Sequence, residues 1–180
     1  TKQFQLQMNI LQQLGVRFRK NIPNKDYAVV VDGIFGVGLS RVIDGAQKKV
    51  IETMNQLEGI KVAIDIPSGI DATSGDILGA AFRADYTVTF GLKKLGMYFS
   101  DGIDYCGNII CANVGFPKKA IDHIKPQIYA YDKCDMTKLP KRFNNSNKGT
   151  YGRVAVIAGS KNMSGAAYLC SKASYSTGVG

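Results

Sequence analysis

The 180-residue sequence predicts an α/β fold built on a parallel, doubly wound sheet. Two observations predict it. Short, continuous apolar runs rich in valine and isoleucine are typical of strands that are buried on both faces of a sheet. Between the first two of these runs lies a longer segment with apolar residues at three- and four-residue spacing, which is typical of a helix. A strand–helix–strand unit with a short crossover places its two strands parallel in one sheet.

The predicted elements end at recognisable residues. The first helix carries apolar side chains at helical spacing and ends at Gly15, and the second helix ends at Gly59. The turn Pro67-Ser68-Gly69 interrupts the second strand. On this basis we predict helices at 2–14, 42–57 and 165–176, and strands at 27–31, 60–66, 85–90, 108–113, 127–131 and 153–158.

The segment 133–150 differs in composition from the rest and predicts a linker. It contains Leu139-Pro140-Lys141-Arg142 and the polar run Asn144-Asn145-Ser146-Asn147. The strand and helix predicted after it are too short a unit to bury a core of their own. We therefore expect one domain over 1–138 and the truncated start of a second over 139–180.

Composition excludes several classes of protein. Hydrophobic residues make up 45% and charged residues 21%, so the chain is not intrinsically disordered. No apolar run is long enough to span a membrane, and no export signal opens the chain. The formal net charge is +9, but the basic residues are scattered, with clusters at 17–20 and 138–142 that we interpret as solvated surface or linker. We expect a small-molecule substrate, a homo-oligomer, and neither nucleic acid nor membrane as a partner.

The cysteines give no sign of a zinc site. Cys106, Cys111, Cys134 and Cys170 form no C-x-x-C pair, and His123, interpreted as a surface residue, is the single histidine. We expect reduced thiols, most of them small buried side chains, and hence a cytoplasmic protein.

A glycine-rich turn follows the first strand, where residues 32–41 read DGIFGVGLSR. Glycines at this spacing let several backbone N–H groups point at one spot, which suits phosphate. The spacing is neither G-x-G-x-x-G nor a P-loop, which disfavours a generic nucleotide-binding oxidoreductase. A tight strand-to-helix turn without a ligand is the alternative.

Two further clusters follow the next strands. Residues 65–71 read DIPSGID, and an aspartate at the end of a buried strand is suited to proton transfer. The alternative is that Asp65 caps the Pro-Ser-Gly turn. Residues 84–94 read ADYTVTFGLKK, whose two lysines face either phosphate or solvent, and solvent is favoured on this cluster alone. The carboxyl edge of such a sheet is where ligands bind.

Taken in order, these three clusters resemble the NAD(P)H-hydrate epimerase family. The segment VGFP at 114–117 is also similar to that family, and the resemblance extends over residues 1–132. The tail, with NKGTYGRV at 147–154, IAGS at 157–160 and MSGAA at 163–167, resembles the opening of ADP-dependent NAD(P)H-hydrate dehydratases. The two domains are fused in this order in bifunctional NAD(P)H-hydrate repair enzymes.

The resemblance implies a fold, a reaction and two cofactors. The first domain would be a Rossmann-like three-layer parallel sheet, N-terminally incomplete, and the second the start of a ribokinase-like α/β domain. The first would interconvert the R and S hydrates of NADH and NADPH, and the second would dehydrate the S form with ADP or ATP. A potassium ion would bind in the first domain.

The resemblance also implies roles for single residues. Asp65 would be the catalytic proton-transfer residue, and Asp32 and Ser68 would hold the potassium ion. Ala166 would line the dehydratase site. The substrate-binding residues of the epimerase would be Gly36, Val37, Gly38, Leu39, Ser40, Arg41, Val42 and Asp65.

The sequence departs from the family in two places. The family's Asn-Asn-Gly-Gly-Asp motif is absent, since its place lies before the first helix, and the nucleotide-binding glycines and catalytic aspartate of the dehydratase are absent as well. We therefore expect a fragment that is inactive alone. A noncatalytic epimerase-fold scaffold, or an RNA-associated module, is the alternative, and the presence together of Asp32, Asp65 and Ser68 argues against it.

Overall fold

A computed structural model describes residues 2–23, 25–124, 128–131, 133–139 and 141–179. The chain divides into two compact units, Thr1–Lys125 and Pro126–Gly180. The first unit contains four strands, β1 (Val29–Asp32), β2 (Ile60–Ile64), β3 (Tyr86–Phe90) and β4 (Asn108–Ala112). Its helices are α1 (Lys2–Gln13), α2 (Gly45–Gln56), α3 (Gly102–Tyr105) and α4 (Lys118–Ile124), with a short 3-10 helix at Leu95–Tyr98.

The four strands form one parallel sheet in the order β1-β2-β3-β4. One row across the sheet runs Asp32–Ala63–Thr87–Ile109. The prediction of an α/β fold with a parallel sheet is therefore confirmed, and each of these strands lies within two residues of its predicted start and end. The described strands follow one another without a reversal of order, so the doubly wound, three-layer arrangement stays a prediction.

Helix α2 contributes two buried residues to the first core cluster. Its Ile51 and Met54 are buried and pack with Val30 of β1, Ala63 of β2 and Phe82. A second cluster gathers Ile66, Ile70, Ala81, Met97 and Cys106 on the β3–β4 side of the sheet. Burying these side chains is the main favourable term in folding, and it fixes one face of the sheet against α2 and the loop after β2.

The opposite face of the sheet is exposed in the part of the chain that the structure describes. In β1, Val30 and Asp32 are buried, whereas Val29 and Val31 are 47% and 53% exposed. Tyr86 and Ile110 are exposed on the same side. The expectation that β1 is buried on both faces is therefore wrong here, because no described helix covers this face. Helix α1 itself has no buried residue.

The second unit is described separately. Its helix α5 spans Gly165–Ser176, as predicted, and a short 3-10 helix spans Lys133–Lys138. Residues 153–158 and 128–131 form no strand, so both strand predictions are wrong there, while Gln127 lies outside the described residues. A strand needs a hydrogen-bonded neighbour, and the described part of this unit contains no other strand. The ribokinase-like start stays a prediction.

The thiols differ from expectation in their burial. Cys106 is fully buried, but Cys111, Cys134 and Cys170 are exposed, so the expectation that most are buried is wrong. All four are free thiols, as expected, and His123 lies on the surface. Burial raises the pKa of the Cys106 thiol to about 11. Among the described residues, no helix is both long and apolar enough to cross a membrane.

Candidate active site at the carboxyl edge of the sheet

The predicted site residues of the first unit meet at one edge of the sheet. Asp32 is the last residue of β1, Asp65 directly follows β2, and Phe90 is the last residue of β3. Because the strands are parallel and adjacent, their carboxyl ends lie side by side. The glycine-rich turn after β1 and the Pro67-Ser68-Gly69 turn after β2 are thereby brought together.

Asp32 and Ser68 are in direct contact, and both are fully buried. The Ser68 backbone N–H donates to Asp32 Oδ2 at 2.7 Å, and the Ser68 hydroxyl donates to Asp32 Oδ1 at 2.7 Å. The N–H of Phe35 donates to Ser68 Oγ at 2.8 Å, and the N–H of Ile34 donates to Asp32 Oδ1 at 3.2 Å. These bonds fasten the glycine-rich turn to the loop after β2.

The surroundings of Asp32 have the chemistry of a cation site. The hydrogen-bond donors to its carboxylate are neutral hydroxyl and N–H groups, and none of the described Lys or Arg residues forms an ion pair with it. A buried carboxylate without a cationic partner is costly. Ser68 Oγ also lies 3.3 Å from the carbonyl oxygen of Phe35, so hard oxygen atoms converge there, as a potassium ion prefers. The described residues contain no cluster of three His, Cys, Asp or Glu side chains, so hydroxyl and carbonyl oxygens would have to complete the ligand set.

Asp65 has an unusual backbone conformation. Its φ is 72°, in the left-handed region that residues other than glycine rarely adopt. Its N–H donates to the carbonyl of Val88 at 2.8 Å, which continues the β2–β3 pairing for one residue beyond β2. Strained conformations of this kind persist where the surrounding structure enforces them, and they concentrate at functional sites.

The carboxylate of Asp65 is bound through one oxygen. Lys94 Nζ donates to Oδ1 at 2.5 Å, and Thr89 Oγ1 and the Phe90 N–H lie at 3.4 Å from the same oxygen. Oδ2 has no hydrogen-bond partner among the described residues. It faces the glycine-rich turn, since a β-carbon placed on Gly36 would lie 3.5 Å from it. None of these bonds reaches the Pro67-Ser68-Gly69 turn, which Asp32 caps instead.

A pocket of about 400 Å³ opens beside Asp65. Apolar side chains form most of its wall, and one acidic and two basic residues complete the lining, which is the usual make-up of a small-molecule site. Gly91 admits the Phe116 ring, because a β-carbon there would lie 2.1 Å from Cε2 of that ring. The lining residues are Val37, Asp65, Phe90, Leu92, Lys93, Lys94 and Phe116.

The other predicted substrate-binding residues occupy varied positions. Gly36 and Val37 lie beside Asp65 and the pocket, and Leu39 packs half-buried against the first core cluster. Further along the turn, the exposed residues are Gly38, Ser40, Arg41 and Val42. Ala166 is exposed on α5 in the second unit. The geometry thus brings together Asp32 with Ser68, and Asp65 with Gly36 and Val37.

Sequence reasoning missed Lys94. Solvent was favoured for both lysines after β3, and for Lys94 this is wrong, because its side chain is only 19% exposed and its ammonium group contacts Asp65. Lys93 lines the pocket, with its ammonium group 5.7 Å from the centre of the Tyr98 ring. Parallel strands supply a signal that could have found Lys94, since a lysine soon after one strand and an aspartate at the end of its neighbour share an edge.

Comparison with known proteins gives consistent matches. The family described as YjeF-related protein N-terminus matches residues 1–96. The bifunctional NAD(P)H-hydrate repair enzyme Nnr of Thermofilum pendens is 38% identical over 154 residues, covering 86% of this chain and 29% of the relative. The Nnr of Dictyoglomus turgidum is 38% identical over 160 residues, with 87% and 31% covered. The NAD(P)H-hydrate epimerase of Limosilactobacillus reuteri is 41% identical over 85 residues, with 47% and 40% covered. The chain therefore spans about a third of the length of the bifunctional relatives.

Proposed function

This chain belongs to the family of YjeF-related protein N-termini, and we propose that in the full-length protein it interconverts the R and S epimers of hydrated NADH and NADPH. One observation of this chain carries the proposal. Asp65 presents a carboxylate oxygen, Oδ2, that has no hydrogen-bond partner in the described part of the chain, beside an apolar-walled pocket at the carboxyl edge of the sheet. The pocket has room for a nicotinamide ring, and the carboxylate is the acid–base group that the reaction needs.

The proposed reaction needs one proton, which Asp65 donates in the first step and regains in the second. In the hydrate, a hydroxyl group is bonded to carbon 6 of the ring. The Asp65 carboxyl group donates a proton to that hydroxyl oxygen, the carbon–oxygen bond breaks, and the ring nitrogen supplies an electron pair to form a carbon–nitrogen double bond. Water then adds to carbon 6 from the other face, and the proton that this water loses passes through the solvent to Asp65. No oxidant, reductant or further reactant is consumed.

The glycine-rich turn is proposed to bind the substrate's phosphates. It begins at Gly33, next to the Asp32–Ser68 contact, and passes Asp65 at Gly36. Its exposed part carries Ser40 and Arg41, whose hydroxyl and guanidinium groups are suited to phosphate oxygens. A substrate that extends from the pocket along this turn would bring its ring to Asp65 and its phosphates to the turn.

A potassium ion is proposed at Asp32 and Ser68. The buried carboxylate with its neutral donors fits such an ion, and the carbonyl oxygen of Phe35 lies at the same place. When bound, the ion supplies positive charge that compensates Asp32 and attracts anionic substrate groups. The hydrogen bonds of Asp32 and Ser68 hold the glycine-rich turn in register with the loop after β2.

Residues 139–180 are proposed to begin an ADP-dependent (or ATP-dependent) dehydratase domain, with Ala166 at its substrate site. Two bifunctional relatives support this, because each aligns with at least 86% of this chain. An alignment of that length ends beyond residue 138 at whatever residue it starts, so the similarity continues into this segment. In the whole protein the epimerase would supply the S hydrate that the dehydratase consumes. We further propose a cytoplasmic homo-oligomer that binds neither nucleic acid nor membrane. The alternative of a noncatalytic scaffold is not favoured, since the relatives are named as enzymes.

The direct test follows the exchange of epimers. Purified S hydrate of NADH is incubated with the full-length protein without ADP or ATP, and the two epimers are separated by chromatography. The proposal predicts that the R epimer appears far faster than in buffer alone. If the R epimer appears no faster than in buffer alone, the proposed function is wrong.

A further inference from the structure

The ammonium group of Lys94 makes three contacts with oxygen atoms of the protein. It donates to Asp65 Oδ1 at 2.5 Å, to Thr89 Oγ1 at 2.8 Å and to the Phe90 carbonyl at 3.1 Å. A lysine ammonium group has three N–H donors, so all of them are used within the protein. Lys94 therefore has no donor left for a substrate in the pocket, although it lies at the pocket wall.

These contacts distinguish the two oxygens of Asp65. Oδ1 accepts a hydrogen bond from Lys94 and lies near Thr89 and the Phe90 N–H, whereas Oδ2 faces Gly36 and has no hydrogen-bond partner among the described residues. An aspartate carboxylate rotates about its Cβ–Cγ bond unless neighbouring groups hold it. With Oδ1 held by Lys94, Oδ2 stays directed toward the space between the glycine-rich turn and the pocket.

We propose that Lys94 is a positioning residue, which holds Asp65 through Oδ1 so that Oδ2 remains in place for proton transfer. This inference rests on the proposed function, since it concerns the same carboxylate. Lys94 is itself bonded to Thr89 and Phe90 of β3, the strand next to the one that Asp65 follows, so the sheet sets the position of Oδ2. Displacement of a reacting group by an ångström can cost about 100-fold in rate.

An ordinary surface ion pair has different geometry. Lys48 and Glu52 on α2 approach to only 3.8 Å, and their side chains are 45% and 52% exposed. Lys94 and Asp65 are each 19% exposed and lie at 2.5 Å. Exposed pairs like the first contribute little to stability. Lys48 therefore provides a matched control for the loss of a paired lysine.

Kinetics of the full-length protein test the proposal. Lys94→Met should lower kcat for epimer exchange about 10- to 100-fold and change KM about twofold at most, because Lys94 has no donor left for the substrate. Lys48→Met should leave both constants unchanged. In a background of Asp65→Asn, Lys94→Met should cost no further activity, since Lys94 acts through Asp65. An unchanged kcat for Lys94→Met, or a full additional loss in the double variant, would overturn the proposal.

A crystal structure of the Lys94→Met variant gives a readout that does not depend on activity. The Asp65 carboxylate is expected in a different rotamer or in several, with the β3 backbone unchanged. A carboxylate that keeps its place would overturn the positioning role. If the wild-type protein shows no epimer exchange, the proposed function fails, and the crystal structure still decides whether Lys94 positions Asp65.

Discussion

Ser68 donates both its backbone N–H and its hydroxyl proton to Asp32, one to each carboxylate oxygen, and both bonds are 2.7 Å long. The two residues are 36 positions apart in the chain and come from neighbouring parallel strands or the loop after them. Both are fully buried, and the Ser68 oxygen accepts in turn from the N–H of Phe35. This contact joins the two turns that form the candidate site, and it places a negative charge at their junction.

Potassium should stabilise the protein at this junction. An ion that binds the native state alone raises the melting temperature, and we expect a value about 2–6 °C higher in potassium chloride than in lithium chloride at equal ionic strength. Scanning calorimetry in the two salts measures it. Ser68→Ala, which removes one proposed ligand, should abolish the difference between the salts, whereas Thr53→Val, which removes an exposed hydroxyl on α2, should retain it. Superimposable curves for the wild-type protein would refute an ion site here.

Cys106 should lower the free energy of unfolding as the pH rises through the alkaline range. Burial raises its pKa from 9.0 to about 11, so the native thiol keeps its proton at pH values where the unfolded thiol has lost it. The native state then binds more protons, and this contribution to stability is complete below pH 9 and is lost as the pH rises toward 11. Urea unfolding at pH 8 and pH 10.5 measures the stability difference between the wild-type protein and Cys106→Ala. We expect it to shrink by about 1–3 kcal/mol. Equal pH dependence in the two proteins would contradict the prediction.

Trypsin should separate the tail from the first unit. Lys141 and Lys148 are exposed in a segment without regular structure, whereas Arg142 donates to the carbonyls of Thr177 and Gly178 at 2.8 and 2.7 Å. We expect cleavage after Lys141 or Lys148 well before cleavage at Lys48, which lies within α2. Mass spectrometry should find a stable fragment whose end falls within 138–148. A tail that survives as long as α2 would contradict the predicted domain boundary.

The local sequence pattern was sufficient to predict the strands of the sheet and helix α5. The valine run of β1 and the isoleucine-rich run of β2 were placed to within two residues, and α5 was placed at both ends. Residues 153–158 form an equally apolar run, but they have no strand neighbour in the described part of their unit, so the same pattern gave a wrong prediction. Strand formation depends on a partner strand from any part of the chain, and no local pattern contains that information.

The candidate site was predictable to a similar degree. The position at a strand end singled out Asp65, whereas Asp32 and Ser68 were named through the resemblance to the epimerase family. Lys94 was not, because the adjacent Lys93 has the same chemistry and the local pattern does not show which of the two contacts Asp65. Gly91 has a φ of 69°. From the sequence, a glycine at this position predicts a turn but not the direction in which the chain leaves it. The left-handed backbone conformation of Asp65 likewise could not be predicted from the sequence pattern.

The rate of R-to-S exchange of hydrated NADH in Asp65→Asn tests the central claim most directly. The substitution is nearly isosteric and removes the acid–base group, so exchange by the full-length protein should fall about 100- to 10,000-fold, with the melting temperature little changed. Asp101→Asn is the matched control, because Asp101 is exposed and its side chain makes no capping bond to α3. Chromatographic separation of the epimers over time gives both rates. A loss of this size in Asp65→Asn alone is the result we predict, and turnover near that of the wild-type protein would remove Asp65 from the mechanism.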